Sequence, residues 1–85
     1  MSILITFNNG VEISVGASEK HYCLPRKNNS IYTHIELCHT SAPLFLKKYA
    51  CPLGDSIYAY VPSGVIRKLI LHHGGVKQGR MPTLR

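Results

Sequence analysis

The segment Ile3-Leu4-Ile5-Thr6-Phe7-Asn8-Asn9-Gly10-Val11-Glu12-Ile13-Ser14-Val15 decides the fold. Ile3, Ile5 and Phe7 alternate with Leu4 and Thr6, and Val11, Ile13 and Val15 alternate with Glu12 and Ser14. A period of two puts alternate side chains on one face of an extended chain. Asn-Gly between two such runs is a strong hairpin signal, because both residues tolerate the positive φ angles of a type I′ turn. Strands are therefore expected over 3–7 and 11–15, with Gly16-Ala17-Ser18 ending the second.

Outward from this hairpin the same pattern recurs. Ile31, Thr33, Ile35 and Leu37 alternate with Tyr32, His34, Glu36 and Cys38, which predicts a third strand with its apolar face on the core. Ile57, Ala59 and Val61 alternate with Tyr58 and Tyr60, which predicts another over 56–61. Residues 21–24 could add a short strand, and 44–50 suits either a short helix or a strand. Pro25 to Ser30, His39 to Pro43 and Cys51 to Asp55 read as loops and turns. Pro62-Ser63-Gly64 opens a helix, since a first-turn proline lacks only an N–H that has no partner there. Val65, Ile66, Leu69 and Ile70 form its apolar stripe, and Gly74-Gly75 stops it after His72 and His73. The expectation is a small two-layer α+β domain over 1–75. It has an antiparallel sheet of four to five strands with one C-terminal helix on one face, followed by a flexible basic tail over 76–85.

The length of 85 residues allows one domain with a small core. A hydrophobic content of 45% against 16% charged residues describes a folded chain rather than a disordered one. No run of about 18 apolar residues suggests a membrane span. Three cysteines without repeated spacing do not suit a disulfide framework, and the start of the chain carries no basic leader. A cytoplasmic protein with reduced thiols is expected.

The Cys and His residues are the first candidate chemistry. The close pairs are His21/Cys23, Cys38/His39 and His72/His73, none with the spacing of a zinc knuckle. His34 and Cys38 share a face but lie roughly 13 Å apart on a strand. Cys23, Cys38, His39 and Cys51 could still converge on a zinc ion. Otherwise the cysteines are small buried hydrophobes. For catalysis, His34 and Glu36 share a face, and His72, His73, Arg67 and Lys68 are the residue types of a metal-free ribonuclease. Residues 72 and 73 diverge by about 100° on a helix, however, and nothing flanks the cysteines as a nucleophile motif would. No P-loop or dinucleotide fingerprint is present, and four acids make a two-metal centre improbable. No enzyme, no catalytic residue, no metal ligand and no cofactor is assigned.

Charge is the second signal. Residues 1–46 hold three basic groups (Lys20, Arg26, Lys27) and three acidic ones (Glu12, Glu19, Glu36). Residues 47–85 hold seven basic groups against Asp55 alone, so the net +6 is polarised towards the second half. Such a half attracts something acidic. The expected binding residues are Lys47, Lys48, Tyr58, Tyr60, Arg67, Lys68, Lys77 and Arg80. Tyr58 and Tyr60 are expected on the exposed sheet face as anchors.

Two functions fit. The first is a non-enzymatic protein that docks on a partner with an acidic or nucleic-acid-binding surface and modulates or inhibits it. Its size and lack of motifs match the profile of phage-encoded inhibitors of bacterial defence, anti-CRISPR proteins included; that likeness covers no motif. The second is direct RNA or DNA binding through the basic half, although no RNP, KH or helix-turn-helix pattern is present. An unpaired edge strand would also admit a homodimer. Charge reversal at Arg67 and Lys68, which lie off the apolar stripe, should weaken binding without unfolding the domain. Leu69→Ala should cost about 2–5 kcal/mol in a urea titration if Leu69 is core, and an unchanged midpoint would refute the helix register.

Overall fold

The computed structural model describes residues 2–52 and 56–85. Five strands, one α-helix and one 3₁₀ helix follow in the order β1 (Ser2–Phe7), β2 (Glu12–Gly16), β3 (His34–Cys38), the 3₁₀ helix (Leu44–Tyr49), β4 (Ile57–Pro62), α1 (Ser63–His72) and β5 (Val76–Gln78). The strands form one sheet in the order β4-β3-β2-β1-β5, with every neighbouring pair antiparallel. The expected α+β sheet and helix are present, and residues 44–50 resolve as a helical segment. Among the described residues, no helix is long and apolar enough to cross a membrane.

The first hairpin forms where the alternation predicts it, but with a different turn. Phe7 and Val11 face each other through the Phe7 N–H to Val11 carbonyl bond (2.8 Å), and the Gly10 N–H donates to the Phe7 carbonyl (3.0 Å). Of the three loop residues only Gly10 has positive φ, at 88°. This is a three-residue turn closed by a left-handed glycine, not the two-residue type I′ turn expected. The asparagines are thereby left free for other contacts.

The inward faces of the strands build one core from Ile5, Phe7, Ile13, Val15, Ile35, Leu37 and Val61, joined by Ile66 and Leu69 of α1 and Leu46 of the 3₁₀ helix. The helix register is as the apolar stripe predicts, with Arg67, Lys68 and Leu71 exposed. Gly74 (φ 82°) and Gly75 (φ 97°) end it. The Gly74 N–H donates to the Leu71 carbonyl (3.1 Å) and the Gly75 N–H to the Ile70 carbonyl (2.8 Å), the paired bonds of a Schellman cap.

Three expectations are corrected. Tyr58 is not an exposed anchor: it is 2% exposed and belongs to the core. Leu37 pairs with Tyr58 and Ile35 with Val61, so Glu36 of β3 stands opposite both Ala59 and Tyr60 of β4. The extra residue is a β-bulge, with Tyr60 at φ 51°, and it turns Tyr58 and Val61 to the same side. The alternation before β3 also breaks: Ile31 is 50% exposed while Tyr32 is buried. Finally, residues 76–85 do not hang free. β5 pairs with β1, and Tyr32 bonds through its N–H to the Thr83 carbonyl and through its carbonyl to the Arg85 N–H (2.9 and 2.8 Å). Backbone pairing ties down a stretch whose composition alone reads as polar tail.

Two glycines test this arrangement in opposite directions. A Cβ on Gly79 (φ 97°) would collide with the Leu4 carbonyl oxygen, whereas one on Gly64 meets nothing within 4 Å. Gly79→Ala should lower stability by about 1–3 kcal/mol, and Gly64→Ala should raise it by about 0.5–1 kcal/mol, in chemical denaturation. Equal effects would mean that the 76–85 segment is not docked as described.

Candidate binding surface and a buried histidine pair

The bulge that buries Tyr58 turns Tyr60 outward, to 38% exposure. The Tyr60 N–H donates to the Tyr22 carbonyl (3.1 Å), which brings residue 22 alongside β4. The Tyr22 N–H is in turn held by Glu36 Oε1 at 3.1 Å. The Tyr22 and Tyr60 rings lie 5.9 Å apart in a tilted pair. The 3₁₀ helix supplies Lys48 and Tyr49, with the Lys48 ammonium 5.5 Å from the Tyr49 ring centre. Tyr22, Lys48, Tyr49, Ala59 and Tyr60 line a mainly apolar groove of about 420 Å³. Arg26 lies 6.0 Å over the Tyr22 ring. Aromatic rings with an apolar body, a polar tip and cations at the rim are the composition of a binding surface. Of the binding residues expected from the sequence, Lys48 and Tyr60 line this groove, and Tyr22 and Tyr49 join them. Neither Tyr22 nor Tyr49 carried a periodic signal, because each lies outside a strand and only tertiary pairing brings it in.

The remaining candidate cations are spread over several places. Lys47 donates to the Tyr58 hydroxyl (3.4 Å). Lys68 sits 4.5 Å over Phe45. Arg67 donates to the Ser63 hydroxyl (3.4 Å), which itself donates to the Arg85 carbonyl (2.7 Å). Lys77 lies on β5 and Arg80 in the segment after it. Lys48 is the one candidate cation of the second half that lines the tyrosine groove.

His39, weighed above as a zinc ligand, and His73, weighed as an acid–base group, meet inside the fold. His39 is 1% and His73 5% exposed, and their Nε2 atoms meet at 3.0 Å. The Ser41 N–H donates to His39 Nδ1 (3.2 Å), and the two facing Nε2 atoms have room for one proton between them. At the other end His73 Nδ1 meets the Asn9 side-chain amide at 2.9 Å. A second proton between the two rings would place N–H against N–H. Burial, then His73, His72 and Lys47, pull His39 down to about 4, and burial followed by His72 lowers His73. His73 also stacks on Phe7 at 4.8 Å. This neutral, enclosed pair joins the end of β3, the end of α1 and the first hairpin turn. It has no open face for a substrate.

The other sequence candidates do not assemble into a centre. Cys23 is buried, with its thiol towards the Ser18 carbonyl (3.1 Å), while Cys38 is exposed and Cys51 half-buried. Among the described residues, no group of three or more His, Cys, Asp and Glu could hold a metal ion. His34 bonds Thr33 (2.9 Å), and Glu36 is used on Tyr22. No protein-family model matches this chain, and neither does any curated protein or solved structure.

The histidine pair gives a pH signature. The folded pKa of His39, about 4, lies below its ordinary 6.5. Its contribution to stability is present above the ordinary value and is lost as pH falls from there towards 4, because the unfolded chain takes up the proton first. Unfolding free energies from urea titrations should fall by roughly 2–3 kcal/mol over that window, beginning above the range where carboxylates titrate. A flat profile between pH 7 and 5 would show that the pair is not buried as described.

Proposed function

We propose that this protein is a non-enzymatic binding module that docks on another protein, at a surface that is acidic or handles nucleic acid, and modulates or inhibits that partner. The observation that carries the reading is the groove of Tyr22, Tyr49 and Tyr60 with Lys48 in its lining and Arg26 against the Tyr22 ring. Tyrosine and arginine are over-represented among the residues that dominate binding energy at protein interfaces, and an apolar floor lets them be desolvated on docking. His39 and His73 are enclosed and turned to each other, which leaves His72 as the exposed histidine of the helix end. Ten cations against four acids leave a surplus that favours an acidic partner and speeds encounter with it. A chain of this size and makeup fits the profile of a phage-encoded inhibitor of bacterial defence that acts in the cytoplasm.

Direct RNA or DNA binding is the second reading, favoured by the cations over the Tyr22 and Tyr49 rings, since bases stack on such platforms. A homodimer through the β5 edge is the weakest: the edge is three residues long with Lys77 at its centre, and short, charged edges resist pairing.

A pull-down from bacterial lysate with tagged protein, with and without nuclease, separates the two main readings. The expected result is one stoichiometric protein that survives nuclease and is lost with Tyr22→Ala and with Lys48→Glu. A diffuse set that vanishes on nuclease treatment would replace docking by nucleic-acid binding. In that case, if about five phosphates are neutralised, log K should fall with log salt at a slope of roughly −4 to −5.

A further inference from the structure

A second cleft lies away from the tyrosine groove and shares no lining residue with it. It has a volume of about 760 Å³ and opens between the loop at 29–32 and the segment at 80–83, with Ile3 of β1 along one wall. Volumes of about 300–1,000 Å³ are usual for ligand sites. Its walls are tied to each other through one residue. The Tyr32 ring is 3% exposed, and its hydroxyl is shared between the Lys27 carbonyl (2.6 Å) and the Ala17 carbonyl (3.2 Å). The Tyr32 backbone bonds to Thr83 and Arg85 on the far wall. A cleft assembled before its occupant arrives loses little order on binding.

We propose that this cleft binds an acidic peptide segment of a partner protein. An aliphatic side chain of that peptide seats against Ile3, Ile31 and Met81, and a flanking carboxylate pairs with Arg80. Two observations select this occupant. Among the described residues of the lining, Arg80 is the one charged side chain, which favours an anionic group there. Ile31 and Ile3 are 50% and 37% exposed, apolar area that an aliphatic anchor would remove from water. A nucleobase fits less well, because the one aromatic ring of the lining is buried and offers no free face for stacking.

The test uses isotope-labelled full-length protein and short synthetic peptides with a central leucine, flanked either by aspartates and glutamates, by glutamines or by lysines. Backbone and methyl resonances are followed by NMR. The expected result is saturable shifts at residues 3, 29–32 and 80–83 with the acidic peptide, and none of comparable size with the lysine-flanked one. Arg80→Gln should weaken the acidic peptide about tenfold, the size of one charged hydrogen bond. Ile31→Ser should weaken all leucine peptides alike, and Tyr22→Ala should change neither. Arg80 and Ile31 are exposed, so the variants should fold, as circular dichroism checks. Equal binding of acidic and lysine-flanked peptides would overturn the proposal. So would shifts confined to Tyr22, Tyr49 and Tyr60, shifts of the cleft on self-association alone, or a single-stranded oligonucleotide that displaces the peptide from it. Loss of binding at this cleft leaves the tyrosine-groove reading intact, because its own variants lie elsewhere.

Discussion

The meeting of the first hairpin turn with the end of the helix is the contact on which the rest of the chain depends. The Asn8 side chain donates to the Gly74 carbonyl (2.7 Å), the Asn8 N–H to the Gly75 carbonyl (2.9 Å) and the Asn9 N–H to the His73 carbonyl (3.3 Å). Carbonyls at the end of a helix have no partner within it. Here a turn more than sixty residues away in sequence supplies donors for the three residues that follow the last turn of α1. The same junction directs the chain out of Gly75 into β5 and onto the edge of β1. His39 and His73 close it, His73 stacked on Phe7 and both kept neutral by burial and by facing one another.

A small domain gains most from such junctions. Its core is built from the inward faces of a few short strands, two residues of α1, Leu46 of the 3₁₀ helix and the loop residues Cys23 and Tyr32, so ordering the chain ends and loops requires hydrogen bonds and rings in addition to aliphatic burial. The buried side-chain nitrogen and oxygen atoms among the described residues all have partners. Histidine suits this role because a neutral ring offers one donor and one acceptor along with an apolar face. The cost is sensitivity to acid, built into the centre of the fold.

The bulge in β4 performs a comparable service for the surface. One added residue exchanges an expected pair of exposed tyrosines for one ring in the core and one at the rim of a groove. The 3₁₀ helix then divides two neighbouring lysines between two environments: Lys47 goes to Tyr58 and the histidine side, Lys48 to the tyrosine groove. Cations adjacent in sequence therefore do not form one patch. Lys48 lines the aromatic groove and Arg80 the aliphatic cleft, while Lys47, Arg67, Lys68 and Lys77 lie in neither.

Sequence by itself determined the elements whose side chains repeat with a period: the first hairpin, the outer parts of β3 and β4, and the register of α1 with Ile66 and Leu69 inward. These follow from local geometry, since burying one face of a strand or helix imposes its period on the residues. It also determined the charge surplus and its polarisation. Only tertiary structure decided the rest. The Asn-Gly turn became a three-residue turn because its asparagines bond the helix end. Tyr58 went inward because pairing with β3 inserted a bulge, and residues 76–85 became a strand and strap because β1 and Tyr32 offered free backbone groups. Tyr22 and Tyr49 entered the groove, and His39 met His73, through contacts between segments far apart in sequence. Periodicity records which face of a segment is buried; it carries no record of which distant segment completes its hydrogen bonds.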